Sequence, residues 1–163
     1  EYDLFVGYGH DFGGGWGIDA SLWNYNYSNT GDRDDMALND LTELIVAVSF
    51  NNFTFSYYDN VASEDSFESD ALNGEGYNYY TFGYSWDKYS ILLGHADPDE
   101  KGGVEDYDYT HLDFSYQYND NLSFTFSKVI DVRDVCDGNG EALVTAGCDD
   151  DAIVQLTYSL DIK

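Results

Sequence analysis

Positive charge is nearly absent from this chain: 6 Lys and Arg stand against 32 Asp and Glu, a formal net charge of -26. That balance excludes the electrostatic footprint of a nucleic-acid binder, because no basic surface is available to neutralise phosphate. It fits a chain kept soluble in high salt or an acidic surface that holds divalent cations, and composition does not choose between them. Long apolar runs are also missing. No stretch approaches the 18 or more apolar residues of a membrane helix, and no signal-peptide pattern opens the chain, as expected of a processed polypeptide. A transmembrane β-strand escapes both tests, since it needs only about 9 to 11 residues of alternating character. Proline occurs once and sustained helical periodicity nowhere. With 16 Gly, 16 Tyr and 10 Phe in 163 residues, the chain reads as one all-β domain with room for a substantial core.

The clearest element is residues 41–58, LTELIVAVSFNNFTFSYY, where two runs of β-formers flank Asn51-Asn52. Asn tolerates the positive φ that a two-residue I′ turn requires. Such a turn makes Phe50 and Phe53 a cross-strand pair. Leu44, Val46, Val48 and Phe50 then share a face with Phe53, Phe55 and Tyr57, while Ala47, Ser49, Thr54 and Ser56 take the other. A soluble sandwich with its polar side in water gives this division, and so does a membrane barrel with its apolar side in lipid.

The same alternation recurs along the chain. Residues 2–9 form a strand that HDFGGG interrupts, and residues 16–28 set Trp16, Ile18, Ala20 and Leu22 on one face. Beyond Leu22 the phase reverses: Trp23, Tyr25 and Tyr27 have the opposite parity, so either a bulge re-aims them or the strand has left its apolar environment. YNYYTFGYSW and YSILLGHAD flank Asp87-Lys88, aligning Tyr80, Phe82, Tyr84 and Trp86 with Tyr89, Ile91 and Leu93. A strand near 108–118 carries Leu112, Phe114, Tyr116 and Tyr118. LSFTFSKVI follows a turn at 119–121, and the last strand sets Val154, Leu156, Tyr158, Leu160 and Ile162 on one face. Polar or acidic loops fall at about 29–40, 62–76, 97–107 and 132–150.

Short turns thus alternate strictly with long acidic loops, as in an outer-membrane barrel with periplasmic turns and extracellular loops. Trp16, Phe50, Phe53, Trp86, Tyr89 and Tyr118 lie beside short turns, and Tyr25, Tyr27, Tyr57, Tyr58, Tyr79, Tyr80 and Tyr109 lie toward the loops. Two interfacial aromatic girdles have this form, and so does cross-strand aromatic packing at sheet ends. The count of strands, nine, is odd. Strands one and nine then run in the same direction and cannot close antiparallel. The expectation is that upstream strands complete the ring, that the seam is parallel, or that a neighbouring chain in a homo-oligomer covers the edge.

EYDLFVGYG before a Gly-rich turn, the hairpin ELIVAVSFNNFTFSYYD, the strand YNYYTFGYSW, and the ending CDDDAIVQLTYSLDI after an earlier Cys together resemble the TorF-type porin family (Gcw_chp) over essentially the whole chain. The resemblance implies an antiparallel up-and-down transmembrane β-barrel in the bacterial outer membrane. It also implies strands upstream of EYDLFVGYG, about twelve in the complete barrel. Ending at Lys163 instead of an aromatic residue departs from the barrel pattern and points to a few further C-terminal residues.

The candidate sites follow from that placement. Asp3, Asp19, Glu43, His111, Asp113, Gln117, Gln155 and Asp161 fall on the lumen side, where carboxylates with little basic compensation repel anions and concentrate cations. Small solutes and cations are the expected partners, with outer-membrane lipid outside. A non-conducting scaffold and a soluble, salt-adapted β-barrel binding protein are the alternatives. Cys136 and Cys148 share one loop on the outer side, an oxidising setting, and are expected to form a disulfide worth about 2 to 3 kcal/mol. Asp134, Asp137, Asn139 and Glu141 make DVCDGNGE look like a calcium loop, but the EF-hand spacing fails. A weak Ca²⁺ or Mg²⁺ site and a plain solvated acidic loop both fit, as they do for Asp32/Asp34/Asp35 and Asp149/Asp150/Asp151. His111 and Asp113 are neighbours on any strand, and no nucleophile or oxyanion device accompanies them, so no enzyme activity and no cofactor are expected.

Overall fold

The computed structural model describes residues 2–26, 41–63, 77–98, 108–132 and 151–159. They form one antiparallel sheet of nine strands in sequence order. The strands are β1 (Tyr2–Gly13), β2 (Trp16–Asn26), β3 (Leu41–Phe50), β4 (Phe53–Ser63), β5 (Tyr77–Trp86), β6 (Tyr89–Pro98), β7 (Tyr109–Asn119), β8 (Leu122–Val132) and β9 (Ile153–Tyr158). Each pairs only with its sequence neighbours, and β1 and β9 are the open edges of the sheet. No helix among the described residues is long and apolar enough to cross a membrane, a fact silent on strands.

Tight turns set the register. Phe50 faces Phe53 and Trp86 faces Tyr89 across their two-residue turns, as the hairpin reading requires. Only the first residue of each turn takes positive φ, Asn51 at 50° and Asp87 at 51°. The expected I′ turn needs it at both, so the local conformation shares its φ signs with II′ instead. Between β1 and β2 the reversal uses glycine, with Gly13, Gly14 and Gly15 all at positive φ, from 64° to 86°. Here β1 runs further than the sequence pattern predicts: His10 and Asp11 still pair with Ile18 and Gly17, and the register slips only between Asp11 and Gly13. After β7, Asn119 Oδ1 accepts from the backbone N–H groups of Asn121 and Leu122, both at 2.9 Å, and closes the turn from within.

The short turns also bond to one another's hairpins along one rim. Asn51 N–H donates to Gly15 O at 2.8 Å, Ser85 N–H to Asn52 O at 2.9 Å, Gln117 N–H to Lys88 O at 2.8 Å, and Ser159 N–H to Asn121 O at 2.8 Å. Backbone pairing therefore extends past the strand ends at this side of the sheet.

Direct partners share a face, so the pairing carries one face assignment across the sheet. Val6, Leu22, Leu44, Val46, Phe55, Phe82, Leu93, Leu112, Phe114, Phe126 and Val154 all fall on one side. Among the described residues no second layer lies against this side: Phe82 is 51 % exposed, Phe126 46 % and Val154 71 %. Leu41 and Ala96 are the only buried hydrophobic residues among those described, and both belong to the other face. The core expected of a globular chain of this length is therefore missing from the described residues. The apolar surface points outward.

Candidate functional site

The second face is polar, and with the exception of Asn26 it holds the buried residues: Ser56, Asn60 and Thr81 as well as Leu41 and Ala96. Side chains two strands apart meet here. β6 contributes only Gly94 and Ala96 near its end, and rings from both neighbouring strands close over them. Tyr79 from β5 donates its hydroxyl to His111 Nε2 on β7 at 2.6 Å, and the Tyr77 and Tyr109 hydroxyls approach to 3.5 Å. A Cβ added at Gly94 would collide with His111 Nε2 and Tyr79 Oη. Gly94→Ala is accordingly expected to destabilise the sheet by about 1 to 3 kcal/mol, the usual cost of overpacking, as read by urea unfolding. An unchanged midpoint would show that these rings do not pack over β6.

The bridge continues. His111 Nδ1 bonds Asp113 Oδ1 at 3.0 Å, and Ser127 Oγ on β8 donates to the same oxygen. The tautomer satisfying every contact carries the proton on Nδ1 and accepts from Tyr79 at Nε2. Tyr79, His111, Asp113 and Ser127 thus lock β5, β7 and β8 together. The sequence brings His111 and Asp113 together by spacing alone, but Tyr79 and Ser127 join them only through the register of β5 and β8.

Asp3, Asp19, Glu43, Asp113, Gln117 and Gln155 all stand on this face with His111. Asp11, which the sequence pattern leaves in the turn, joins them opposite Gly17. Among the described residues no Lys or Arg stands there. Lys88 occupies a turn, and Lys128 pairs with Leu112 on the apolar side. Asp161, Cys136, Cys148, Asp134, Asp137, Asn139 and Glu141 lie outside the described residues. Among those described, no group of three His, Cys, Asp or Glu is placed to hold a metal ion.

Aromatic placement departs from the two-girdle expectation. Of the row beside the short turns, Trp16 packs on Phe50 at 4.4 Å and Trp86 on Tyr89 at 5.7 Å, all on the apolar face, while Tyr118 lies at the register shift between Gln117 and Asn119. Of the row toward the long loops, Tyr57 and Tyr80 share that face, but Tyr25, Tyr58, Tyr79 and Tyr109 stand on the polar one. Period-two alternation separates neighbours such as Tyr57 and Tyr58 whatever their shared chemistry. The reversed parity of Trp23 and Tyr25 has the same cause. β2 continues without a bulge, so these rings join Phe5 and Glu43 on the polar wall. Comparison with protein-family models, curated proteins and solved structures found no match to the chain.

Proposed function

We propose that this sheet is the wall of an antiparallel β-barrel in the bacterial outer membrane, of the TorF-type porin kind, through which small solutes diffuse with cations preferred. One observation carries the reading: the division into an apolar face and a more polar face runs through all nine strands. A lipid surrounding suits such a single-layer sheet, because apolar side chains left in water cost about 25 cal/mol per Å².

The dimensions of the apolar face agree. Its lower border is the aromatic row of Trp16, Phe50, Phe53, Trp86 and Tyr89, and its upper border is a row of Asn24, Thr42, Asp59, Asn78, His95 and Thr110. Between these borders the strands rise from about 20 Å (Phe53 to Asp59, Tyr89 to His95) to about 26 Å (Trp16 to Asn24), roughly 15 to 20 Å along the normal at ordinary barrel tilt, approaching the apolar band of about 25 Å of outer-membrane barrels. Closing the ring antiparallel takes an odd number of further strands between β9 and β1, and three give a barrel of about twelve. The inner wall then carries Asp3, Asp11, Asp19, Glu43 and Asp113 without a described Lys or Arg, a field that draws cations and turns anions away.

Planar-bilayer recording of the complete folded protein tests passage. Steady cation-selective steps are expected. Membrane-inserted protein that carries no current would replace the pore with a closed scaffold on the same fold.

A further inference from the structure

Glu43 is the wall carboxylate most closely framed by rings. Its direct partner on β2 is Trp23, and Tyr25 donates its hydroxyl proton to Glu43 Oε2 at 2.9 Å. Trp23 lies on Phe5 with ring centres 4.4 Å apart and planes 13° from parallel, and beside Tyr25 at 6.2 Å and 16°. A hydrogen bond from Trp23 Nε1 to Ser21 Oγ at 3.0 Å fixes the tilt of the indole. Three near-parallel rings therefore run along the polar face of β1 and β2 and end at a carboxylate. That carboxylate is half-buried and has no Lys, Arg or His against it among the described residues.

A half-buried anion and the negative faces of aromatic rings attract the same kind of ligand. Both draw a cation, and neither serves an anion. A small metal ion holds its water too strongly to gain from the rings, and Glu43 alone offers too few oxygens to replace that water. A weakly hydrated ammonium group on an organic molecule gains from the charge and from the rings together. A neutral sugar could stack on the rings but would draw nothing from the charge of Glu43.

We propose that Glu43, Trp23 and Tyr25 form a binding site for the ammonium group of small organic cations. The proposal rests on the cation-passing reading of this wall and names a solute class for it. Trp23 supplies the signal for its test. With Trp16→Phe and Trp86→Phe removing the other indoles, the protein folded in detergent is titrated with choline chloride, with its neutral isostere 3,3-dimethylbutan-1-ol, and with sodium chloride at matched ionic strength. Choline is expected to change Trp23 emission saturably, and the neutral isostere and sodium are not. Glu43→Gln should weaken choline about tenfold, whereas Tyr25→Phe, which keeps the ring, should stay within about threefold.

Equal responses to choline and its isostere would overturn the site in the protein with Glu43 intact, whatever the fate of the variants. So would an unchanged choline affinity in Glu43→Gln protein that retains its folded electrophoretic mobility. The titration needs no conductance, so a closed scaffold can still show the site. Cation-selective current without a saturable choline response would remove the site and leave the pore.

Discussion

Arginine at Phe82 or Leu93 is expected to destabilise the protein in lipid vesicles by about 2 to 4 kcal/mol, while arginine at Ser85 or Thr157 changes stability by less than about 1 kcal/mol. Phe82 and Leu93 are direct cross-strand partners in the middle of the apolar face, 51 % and 42 % exposed with no protein layer over them. In the proposed membrane setting a guanidinium there either enters hydrocarbon or drags water and headgroups inward. Ser85 and Thr157 stand on the opposite face, both exposed, where a cation meets water and an acidic wall. Urea titration of the vesicle-embedded protein, followed by tryptophan emission, reads the difference. In a soluble sheet whose apolar face lies against a second protein layer, detergent-free refolding would succeed. In a sheet facing water on both sides, the four variants would be equivalent.

On the proposed pore reading, neutralising the polar face is expected to abolish most of the preference for cations. Asp19→Asn, Glu43→Gln and Asp113→Asn each remove one charge while keeping shape and hydrogen-bonding capacity; Asn at 113 can still accept from His111 and Ser127 through its carbonyl oxygen. At about 8 Å in water a carboxylate attracts a monovalent cation and repels a monovalent anion by roughly 0.5 kcal/mol each, so three together separate the two ions by about 3 kcal/mol, a factor of about a hundred in the cation-to-anion ratio. Reversal potentials across a potassium chloride gradient measure that ratio directly. The triple variant should approach equal permeation of the two ions. A ratio unchanged from the starting protein would place the selecting charges elsewhere.

Much of this architecture is legible in the sequence because two-residue turns leave a strand no freedom of phase. Once Asn51-Asn52 and Asp87-Lys88 are recognised, Phe50 must face Phe53 and Trp86 must face Tyr89, and the faces of β3 to β6 follow as far as the shift between Glu43 and Thr42, where Val61 is left without a partner. Where no tight turn ties the phase to the neighbour, inference is weaker. Trp23 and Tyr25 look like a phase error when aromatic residues are assumed to face lipid, yet β2 is regular and the rings belong to the polar wall. Hydrophobicity misleads there because an aromatic ring serves a lipid interface and a ligand-facing surface equally well. The signal that finds them is parity: Phe5, Trp23 and Tyr25 all oppose the phase of Leu4, Val6 and Leu22. The packing of Tyr79 and His111 over Gly94 was hidden for a different reason. It joins strands that are not adjacent in sequence order, so it depends on three registers at once and on the absence of a side chain in the strand between them.

The three tryptophans report on the orientation of the two faces, because they divide between two surroundings. Trp16 and Trp86 stand on the apolar face and Trp23 on the polar one. Single-tryptophan variants folded into vesicles are exposed to lipids brominated on their acyl chains and, separately, to the water-soluble cation caesium. Brominated lipid should quench Trp16 and Trp86 and leave Trp23 bright, and caesium should do the reverse. Trp23 quenched by brominated lipid, with Trp16 and Trp86 quenched by caesium, would turn the wall inside out and contradict the account.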